Sequence, residues 1–156
     1  MAIQDEKLRG SNHNLDLRGV PVSQSQENQA EHVEVGAMAQ RMGITLSFAT
    51  AQKVVGHMPV EGNTQPYGLL NGGASMALAE TLGSVGAHLH AGPTKSVVGI
   101  DINGTHHRSA TSGIVTGTAT PLSLGGTIAV YEIVVTDERD KRLCTARLTC
   151  LLRELS

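Results

Sequence analysis

The residues with the clearest chemical potential lie between Asn71 and Glu80. Two glycines, Gly72 and Gly73, follow Asn71, and a single carboxylate, Glu80, comes about two turns later in a run of Ala, Leu and Met that is typical of a helix. The first N–H groups of a helix have no partner within it and carry the positive end of its dipole. Because glycine has no side chain, a carbonyl oxygen can approach those N–H groups closely. Acyl transfer requires hydrogen-bond donors for a developing oxyanion and a base or nucleophile. The N–H groups of the helix start and the Glu80 carboxylate could supply these groups.

The same residues have plainer interpretations, which the spacing leaves open. Asn-Gly-Gly is equally consistent with a simple N-cap and turn, because Asn is a preferred N-cap residue. A single Glu on a helix is usually exposed to solvent without a further role. The sequence gives little support to a nucleophilic serine or to nucleotide phosphate binding. Ser75 does not lie in a nucleophile-elbow sequence, and the glycine pair lacks the Lys and Ser/Thr of a phosphate-binding loop.

The helix predicted around Glu80 has two different faces. It starts after the N-cap Asn71 and spans about 18 residues. An apolar stripe that would lie on a sheet is formed by Ala74, Leu78, Leu82, Val85 and Leu89. The face that carries Glu80 has small residues, namely Gly73, Ala77, Gly83, Ser84 and Ala87. A solvent-facing side would carry several charges, so we expect a second subunit or a ligand to cover the Glu80 face.

Length and composition indicate one globular domain. The chain has 156 residues, 40% of them hydrophobic and 17% charged, which is enough for a core of its own. A formal charge of −2, without runs of Lys or Arg among aromatics, gives no reason to expect nucleic acid as a partner. There is no long apolar span and no signal-peptide core, so we expect no membrane insertion and a cytoplasmic location. Cys144 and Cys150 lie in one predicted strand, too far apart to bridge, and are expected to be reduced core residues.

The flanking segments predict an α+β arrangement in which most strands follow the long helix. Residues 1–30 are polar and are predicted to form a mobile arm, with a single domain over residues 31–156. A short helix is predicted over residues 31–42, and strands over residues 44–50, 53–60, 95–107, 113–120, 127–136 and 143–152. One helix on a single curved antiparallel sheet is the arrangement that follows.

Three local features of these strands are also predicted. Strict alternation would place Val98, Ile100 and Ile102 on one face of their strand. Pro121 is expected to end the strand that precedes it. Six consecutive charged residues at 137–142 are typical of a solvated hairpin tip.

Several motifs in a fixed order carry a resemblance to a known family. They are Gln65-Pro-Tyr-Gly-Leu-Leu-Asn-Gly-Gly-Ala-Ser, Leu78-Ala-Glu80, Gly83-Ser84, Val98-Gly-Ile-Asp-Ile-Asn103, His106-His-Arg-Ser109 and Pro121-Leu-Ser-Leu-Gly125. Together they resemble the hotdog-fold acyl-CoA thioesterases, nearest to the group that contains 4-hydroxybenzoyl-CoA, phenylacetyl-CoA-type and 1,4-dihydroxy-2-naphthoyl-CoA thioesterases. The resemblance implies the α+β hotdog fold, in which an antiparallel sheet wraps around one long central helix. It also implies a homodimer with a continuous sheet, and usually a tetramer of two such dimers.

The resemblance assigns roles by position. Glu80 matches the catalytic carboxylate, Gln65 the glutamine beside the thioester, and Gly72 the helix-start residue whose N–H polarises the thioester carbonyl. Ser84 matches a Ser/Thr position that helps to place the attacking water or the carboxylate. In the family, the carboxylate and the helix start of one site come from different subunits. The region that holds the nucleotide end of coenzyme A is matched by Arg108, Ser109, Ser123, Leu124, Gly125 and Gly126.

Asn71 departs from the family pattern, which has His at this position. Asn can cap the helix and donate from its amide, but it cannot carry a proton. Two functions therefore stay open: an active thioesterase, and a non-catalytic acyl-CoA-binding or regulatory hotdog protein. Asn71 favours the second, whereas the retention of Gln65 together with Glu80 disfavours it. A third function, a hotdog hydratase or dehydratase, would need a His and an acid in the site, and Asn71 in place of His counts against it.

The resulting prediction is hydrolysis of an acyl-CoA thioester to a free acid and coenzyme A, with no metal or other cofactor. His88 and His90 are two apart on a helix, and His106 and His107 alternate across a strand, so neither pair converges on a metal ion. The small residues of the long helix suit a bulky aryl group. Dihydroxynaphthoyl-CoA, in menaquinone biosynthesis, is the preferred substrate.

Overall fold

The computed structural model describes residues 28–155, and the part of the predicted arm at residues 1–27 lies outside them. A 3-10 turn at Ala30–His32 leads to the short helix α1 (Gly36–Arg41), and the long helix α2 spans Gly72–Ala91. The strands are β1 (Thr45–Thr50), β2 (Lys53–Pro59), β3 (Lys95–His106), β4 (Ile114–Leu124), β5 (Ile128–Thr136) and β6 (Arg142–Glu154). Within residues 28–155, none of the helices combines the length and apolarity needed to cross a membrane.

The six strands form one antiparallel sheet that wraps around α2. Their order is β1-β2-β4-β5-β6-β3, and every neighbouring pair is antiparallel. Helix α2 packs against all six strands, which confirms the predicted α+β architecture of a sheet around a central helix. The strand β3 lies at one edge of the sheet and β1 at the other.

The sheet covers more of α2 than the sequence predicts. Gly83 and Ala87, which we expected on the open face beside Glu80, are buried within the protomer. A Cβ at Gly83 would come within 2.6 Å of the Leu148 side chain on β6. That expectation was wrong because it assumed a sheet on one side of the helix, whereas the curved sheet also buries the flanks of the apolar stripe.

Gly86 marks another close approach of α2 to the sheet, and it supports a prediction of stability. A Cβ at Gly86 would lie 2.7 Å from the ring of Tyr131, and the Tyr131 hydroxyl donates a hydrogen bond to the Ala51 carbonyl at 2.7 Å. The held ring cannot move aside. We expect Gly86→Ala to lower the free energy of unfolding, because overpacking costs about 1–3 kcal/mol and exceeds the helix-propensity gain of about 1 kcal/mol.

Urea unfolding of both proteins would measure this change. The exposed substitution His88→Ala on the same helix is the control and should change stability by less than about 0.5 kcal/mol. A Gly86→Ala variant as stable as the wild type would show that the Tyr131 ring yields.

A bulge in β3 changes which side chains face the core. The pairing of β3 with β6 shifts register between Gly99 and Asp101, so Ile100 has no partner residue. Val98 and Ile100 are 49% and 55% exposed, whereas Ile102 packs against the core. The prediction that Val98, Ile100 and Ile102 share a face was therefore wrong, because an inserted residue reverses the alternation that follows it.

Two other element boundaries also differ from the prediction. Pro121 lies inside β4 and does not end it, at a point beyond the last β2 pairing at Ala119, where β4 has a neighbour on one side only. Pro is tolerated at such an edge. The single helix predicted over residues 31–42 is divided into the 3-10 turn and α1, and Gly43 ends α1 with a φ of 70°. Asn28 and Gln29 bond to Ala49 of β1, so the chain is attached to the sheet before residue 31.

Candidate active site

The start of α2 holds one backbone donor that the described chain leaves available. Asn71 caps the helix as predicted, because its side-chain oxygen accepts a hydrogen bond from the Gly73 N–H at 2.8 Å. Among residues 28–155, no acceptor takes the N–H of Gly72. Since this N–H lies at the positive end of a 20-residue helix, it can stabilise an oxyanion.

Gln65 lies beside this helix start. Both Gln65 and Gly72 line an open cavity of about 380 Å³, together with Ser75, His106, Arg108 and Ser109. A turn holds Gln65 in place, since its N–H bonds to the Leu69 carbonyl at 2.8 Å and its carbonyl accepts from Gly68 at 2.9 Å. Gln65 is half-buried. The cavity therefore combines hydrogen-bond donors with the guanidinium of Arg108.

Glu80 occupies a different place on α2, against the backbone of the edge strand. Its carboxylate touches Gly99 of β3 so closely that a Cβ at Gly99 would overlap Oε1. Burial raises the pKa of the Glu80 carboxyl above its usual value. The contact requires glycine at position 99, so the sequence of β3 determines where the carboxylate lies.

Ser84 follows Glu80 by one helical turn and lines the same cavity, which measures about 680 Å³. Cys150 of β6 lies beneath them. Burial, with the charge of Glu80, raises the pKa of the Cys150 thiol to about 11, against an opposing hydrogen bond from Ser84. The thiol is therefore neutral at physiological pH, so Cys150 does not offer a thiolate to this cavity.

The two groups of predicted catalytic residues do not meet within one protomer. Gln65 and Gly72 line one cavity, Glu80 and Ser84 line the other, and the two cavities have no residue in common. Eight residues separate Gly72 from Glu80, which is about 12 Å along a helix axis. One chain by itself therefore does not present the carboxylate to a carbonyl group at the helix start.

The predicted coenzyme A residues are divided in the same way. Arg108 and Ser109 line the cavity at the start of α2. The turn at Gly125 and Gly126 lies at the other end of that helix, where the His90 ring donates to the Gly125 carbonyl at 2.9 Å. The length of α2 therefore separates the two groups, about 30 Å for a helix of 20 residues. Ser123 and Leu124 end β4 just before this turn.

The family model of the thioesterase superfamily matches residues 67–144, a segment that includes Gly72, Glu80, Ser84 and Arg108. The chain belongs to the thioesterase superfamily. It is 44% identical over 116 residues to the proofreading thioesterase EntH of Cronobacter sakazakii, which covers 74% of this chain and 85% of EntH. To EntH of Klebsiella pneumoniae it is 47% identical over 112 residues, 71% of this chain and 82% of that protein.

Solved structures of thioesterases agree with this assignment. A thioesterase from Haemophilus influenzae superimposes with a TM-score of 0.76 at 38% identity, over 86% of this chain and 94% of the other. A variant of a thioesterase from Pseudomonas aeruginosa gives 0.75 at 34% identity, over 81% and 93%. These findings confirm the hotdog resemblance, and the chain is an enzyme of the thioester hydrolase class.

His106 lines this cavity of the thioesterase-superfamily member, although sequence patterns did not identify it as a candidate site residue. A Cβ on Gly72 would lie 2.9 Å from Nε2 of His106, so the ring lies directly against the helix start. The sequence placed this histidine in a motif of the family resemblance and in a histidine pair considered for a metal, without a role in catalysis. His106 lies on the same face of β3 as Ile102, and this face meets the start of α2. Within residues 28–155, no three His, Cys, Asp or Glu side chains are grouped to hold a metal ion.

Proposed function

We propose that this thioester hydrolase acts on acyl-CoA with an aromatic acyl group and releases the free acid and coenzyme A. The observation that carries the proposal is the available Gly72 N–H in a cavity shared with Gln65 and Arg108. A thioester carbonyl placed there would gain the helix-start donor, while the guanidinium would attract the phosphates of coenzyme A.

Glu80 supplies the base or the nucleophile. In one route its carboxylate takes a proton from water while the water oxygen bonds to the carbonyl carbon. In the other it attacks that carbon and forms an anhydride, which water then hydrolyses. In both routes the C–S bond breaks, the sulfur leaves with the electron pair, and the Gly72 N–H and the Gln65 amide stabilise the oxyanion. The raised pKa of Glu80 supports the role of base, because it reflects a higher proton affinity.

Ser84 and Asn71 assist these groups. The Ser84 hydroxyl, one turn from Glu80, orients the water or the carboxylate. The Asn71 oxygen is engaged by Gly73, which leaves its NH₂ group free to donate towards the substrate. Asn71 therefore acts as a cap and donor and takes no part in proton transfer.

A complete site requires two protomers joined along β3. This long edge strand offers its free N–H and C=O groups to a second copy, and its exposed Val98 and Ile100 would then gain cross-strand neighbours from the partner. Antiparallel pairing of two β3 strands brings the His106 end of one beside the Lys95 end of the other. Since Gly72 lies against His106 and Glu80 lies against Gly99, a register that sets Gly99 beside the partner's His106 brings each helix start to the partner's Glu80.

The same pairing unites the coenzyme A residues. Lys95, at the start of β3, donates to the Gly126 carbonyl at 2.6 Å, so the turn at Gly125 and Gly126 lies at that end of the strand. Arg108 and Ser109 follow the other end. Pairing of two β3 strands therefore places the partner's turn beside Arg108, which supports a homodimer, and two such dimers would form the tetramer of the family.

Mixed dimers test the arrangement across the two subunits. Inactive Gln65→Ala and Glu80→Gln chains, co-expressed in equal amounts, should recover roughly a quarter of wild-type activity, because half of the dimers are mixed and each has one intact site of two. Thiol release by the purified mixture is the measurement. If both halves of a site came from one chain, the mixture would stay as inactive as its components.

The cavity around Glu80 supports a bulky acyl group with polar substituents. Its volume of about 680 Å³ exceeds the needs of a short chain, and it combines apolar with ionisable side chains. The apolar ones include Val85, Leu89 and Val97, and the ionisable ones include His32, Glu34 and His88. Hydroxylated aryl groups suit such a lining, and dihydroxynaphthoyl-CoA, from menaquinone biosynthesis, is our preferred substrate.

Free thiol release from a panel of thioesters tests the function. The panel contains benzoyl-, hydroxybenzoyl-, phenylacetyl-, dihydroxynaphthoyl- and fatty acyl-CoA, and we expect the highest kcat/KM with the aryl compounds. Faster release from the fatty acyl-CoA would overturn the aromatic preference. Tight binding of acyl-CoA without release of thiol would instead support the non-catalytic acyl-CoA-binding protein.

A further inference from the structure

We propose that His106 is a second side-chain donor to the oxyanion and supplies the ring donor that Asn71 cannot. The inference rests on the proposed thioester hydrolysis and extends its site by one residue. His106 is the last residue of β3, and Asn71 stands where the family resemblance implies a histidine. A ring missing from the helix cap is thus present nearby, on a different element.

The geometry places His106 at the reacting carbonyl. The space in which a side chain of residue 72 would begin is occupied by Nε2 of His106, which lies 2.9 Å from the ideal Cβ position. The ring and the available Gly72 N–H therefore border the same small volume. Both residues line the cavity that contains Gln65, so an oxygen bound to the Gly72 N–H is within reach of the histidine Nε2.

The surroundings leave the ring of His106 free to donate. Among residues 28–155, no side chain or carbonyl forms a hydrogen bond with it, whereas the neighbouring His107 bonds to the Thr145 hydroxyl at 3.0 Å. His106 is also exposed to the cavity and to solvent. A hydrogen bond to another group would hold the imidazole ring in one tautomer. In the described part of the chain no such bond is present, so Nε2 can carry the proton.

The ionisable groups around the ring favour an anion at this place. Arg108 lines the same cavity and is cationic, and His107 is the adjacent residue. Cys144 is the register partner on β6, and burial raises the pKa of its thiol, so it carries no charge at neutral pH. In the proposed dimer, the partner's Glu80 is the acid that faces the ring. Negative charge that develops on the carbonyl oxygen is therefore surrounded by the Gly72 N–H, His106 and Arg108.

The tetrahedral step then balances without a new reactant. Water adds its oxygen to the carbonyl carbon and gives one proton to Glu80, while the carbonyl electron pair moves to oxygen. The Gly72 N–H and the Nε2–H of His106 hold that oxygen by hydrogen bonds. When the pair returns, the C–S bond breaks, and sulfur leaves with its electrons. His106 keeps its proton throughout.

Two substitutions at His106 separate donation from packing. His106→Gln keeps an amide donor near the position of Nε2, whereas His106→Leu keeps the bulk and removes the donor. We expect His106→Leu to lower kcat on benzoyl-CoA by about 10²–10³-fold and to raise KM by only about five- to tenfold, and His106→Gln to retain at least tenfold more kcat than His106→Leu. Equal loss in both variants, with circular dichroism and Tm unchanged, would overturn the donor role.

A rescue experiment gives a readout that packing alone would not move. Asn71→His in the His106→Leu background restores a ring donor from the helix cap, and kcat should rise by at least tenfold above that of His106→Leu. Asn71→Leu is the matched control in the same background and should restore nothing. If the variant that combines Asn71→His with His106→Leu has the same kcat as His106→Leu alone, the proposal is contradicted.

Binding of an unreactive ketone analogue separates this proposal from the proposed function. The analogue has CH₂ in place of the thioester sulfur, and its Kd should be at least fivefold weaker for His106→Leu than for wild type. If wild type releases no thiol from any thioester, the proposed function fails, and the analogue still tests His106. Equal Kd values for wild type and His106→Leu would overturn the donor role whether or not hydrolysis is observed.

Discussion

Glu80→Gln is expected to lower kcat on aryl-CoA by about 10²–10⁴-fold, the usual contribution of a positioned base, and by more if Glu80 is the nucleophile. The amide has the shape of the carboxylate and fits against Gly99, but it can neither accept a proton nor form an anhydride. Steady-state thiol release measures the change. Glu132→Gln, on β5, is the control and should retain wild-type kcat.

The same variant should be more stable than wild type at neutral pH. Burial raises the pKa of Glu80, so the folded state holds a proton more tightly there than the unfolded state does. The charged form therefore opposes folding at neutral pH, and this penalty disappears as the pH falls below the pKa of the unfolded chain. Glu80→Gln removes the penalty, so its gain in Tm should be present at neutral pH and shrink in acid. A lower Tm together with a lost rate would attribute the loss to misfolding.

Gly99→Ala should inactivate the enzyme from a residue that has no reactive group. A Cβ at Gly99 would overlap Oε1 of Glu80, so the carboxylate must rotate away from β3. Misplacement by about 1 Å is enough to reduce rates on the order of 10²-fold, and we expect a fall of that size in kcat. The sheet should remain intact, because Ala fits a strand with little change in its backbone.

A double-mutant cycle shows whether the loss acts through Glu80. Glu80→Asp shortens the side chain by one methylene and withdraws the carboxylate from Gly99. In that background Gly99→Ala should lower kcat by less than about threefold, since the overlap is already relieved. If Gly99→Ala costs the same factor in both backgrounds, the effect comes from the β3 bulge and not from the carboxylate.

The local sequence signals around α2 were enough to predict the central helix and its cap. The helix starts at Gly72 after the N-cap Asn71 and runs for 20 residues against a predicted length of about 18. Periodicity also predicted the strands on either side, and the alternation of β6 correctly placed Cys144 and Cys150 in the core. These features depend on residues close in sequence, which is why a pattern reveals them.

The β3 bulge shows what local patterns miss. Alternation along β3 predicts one apolar face, but the register with β6 shifts at Gly99 and Asp101. That shift depends on a strand nearly fifty residues later in the chain, and on the carboxylate of Glu80 lying against Gly99. Alternation from Ile102 already predicts that His106 shares its face, but the contact of that face with Gly72 depends on how β3 packs against α2, which a pattern within one strand does not show.

The division of the site could be predicted only as an implication of the family. Nothing in the spacing of Gln65, Gly72 and Glu80 indicates that the first two line one cavity and the third another. Likewise, Arg108 and Gly125 are close in sequence yet lie near opposite ends of α2. Separations of this kind arise from the order of strands in the sheet, which a single sequence does not specify.

The buried cysteines affect how this enzyme handles the product of its reaction. Every turnover of a thioester hydrolase liberates a thiol, and exchange with a disulfide requires an ionised sulfur on the protein. Cys144 and Cys150 are fully buried, and burial raises the pKa of both thiols. The enzyme is thus protected from thiol–disulfide exchange with the oxidised, disulfide form of its own product. Disulfide reagents that report released thiol will count product alone while the fold is intact.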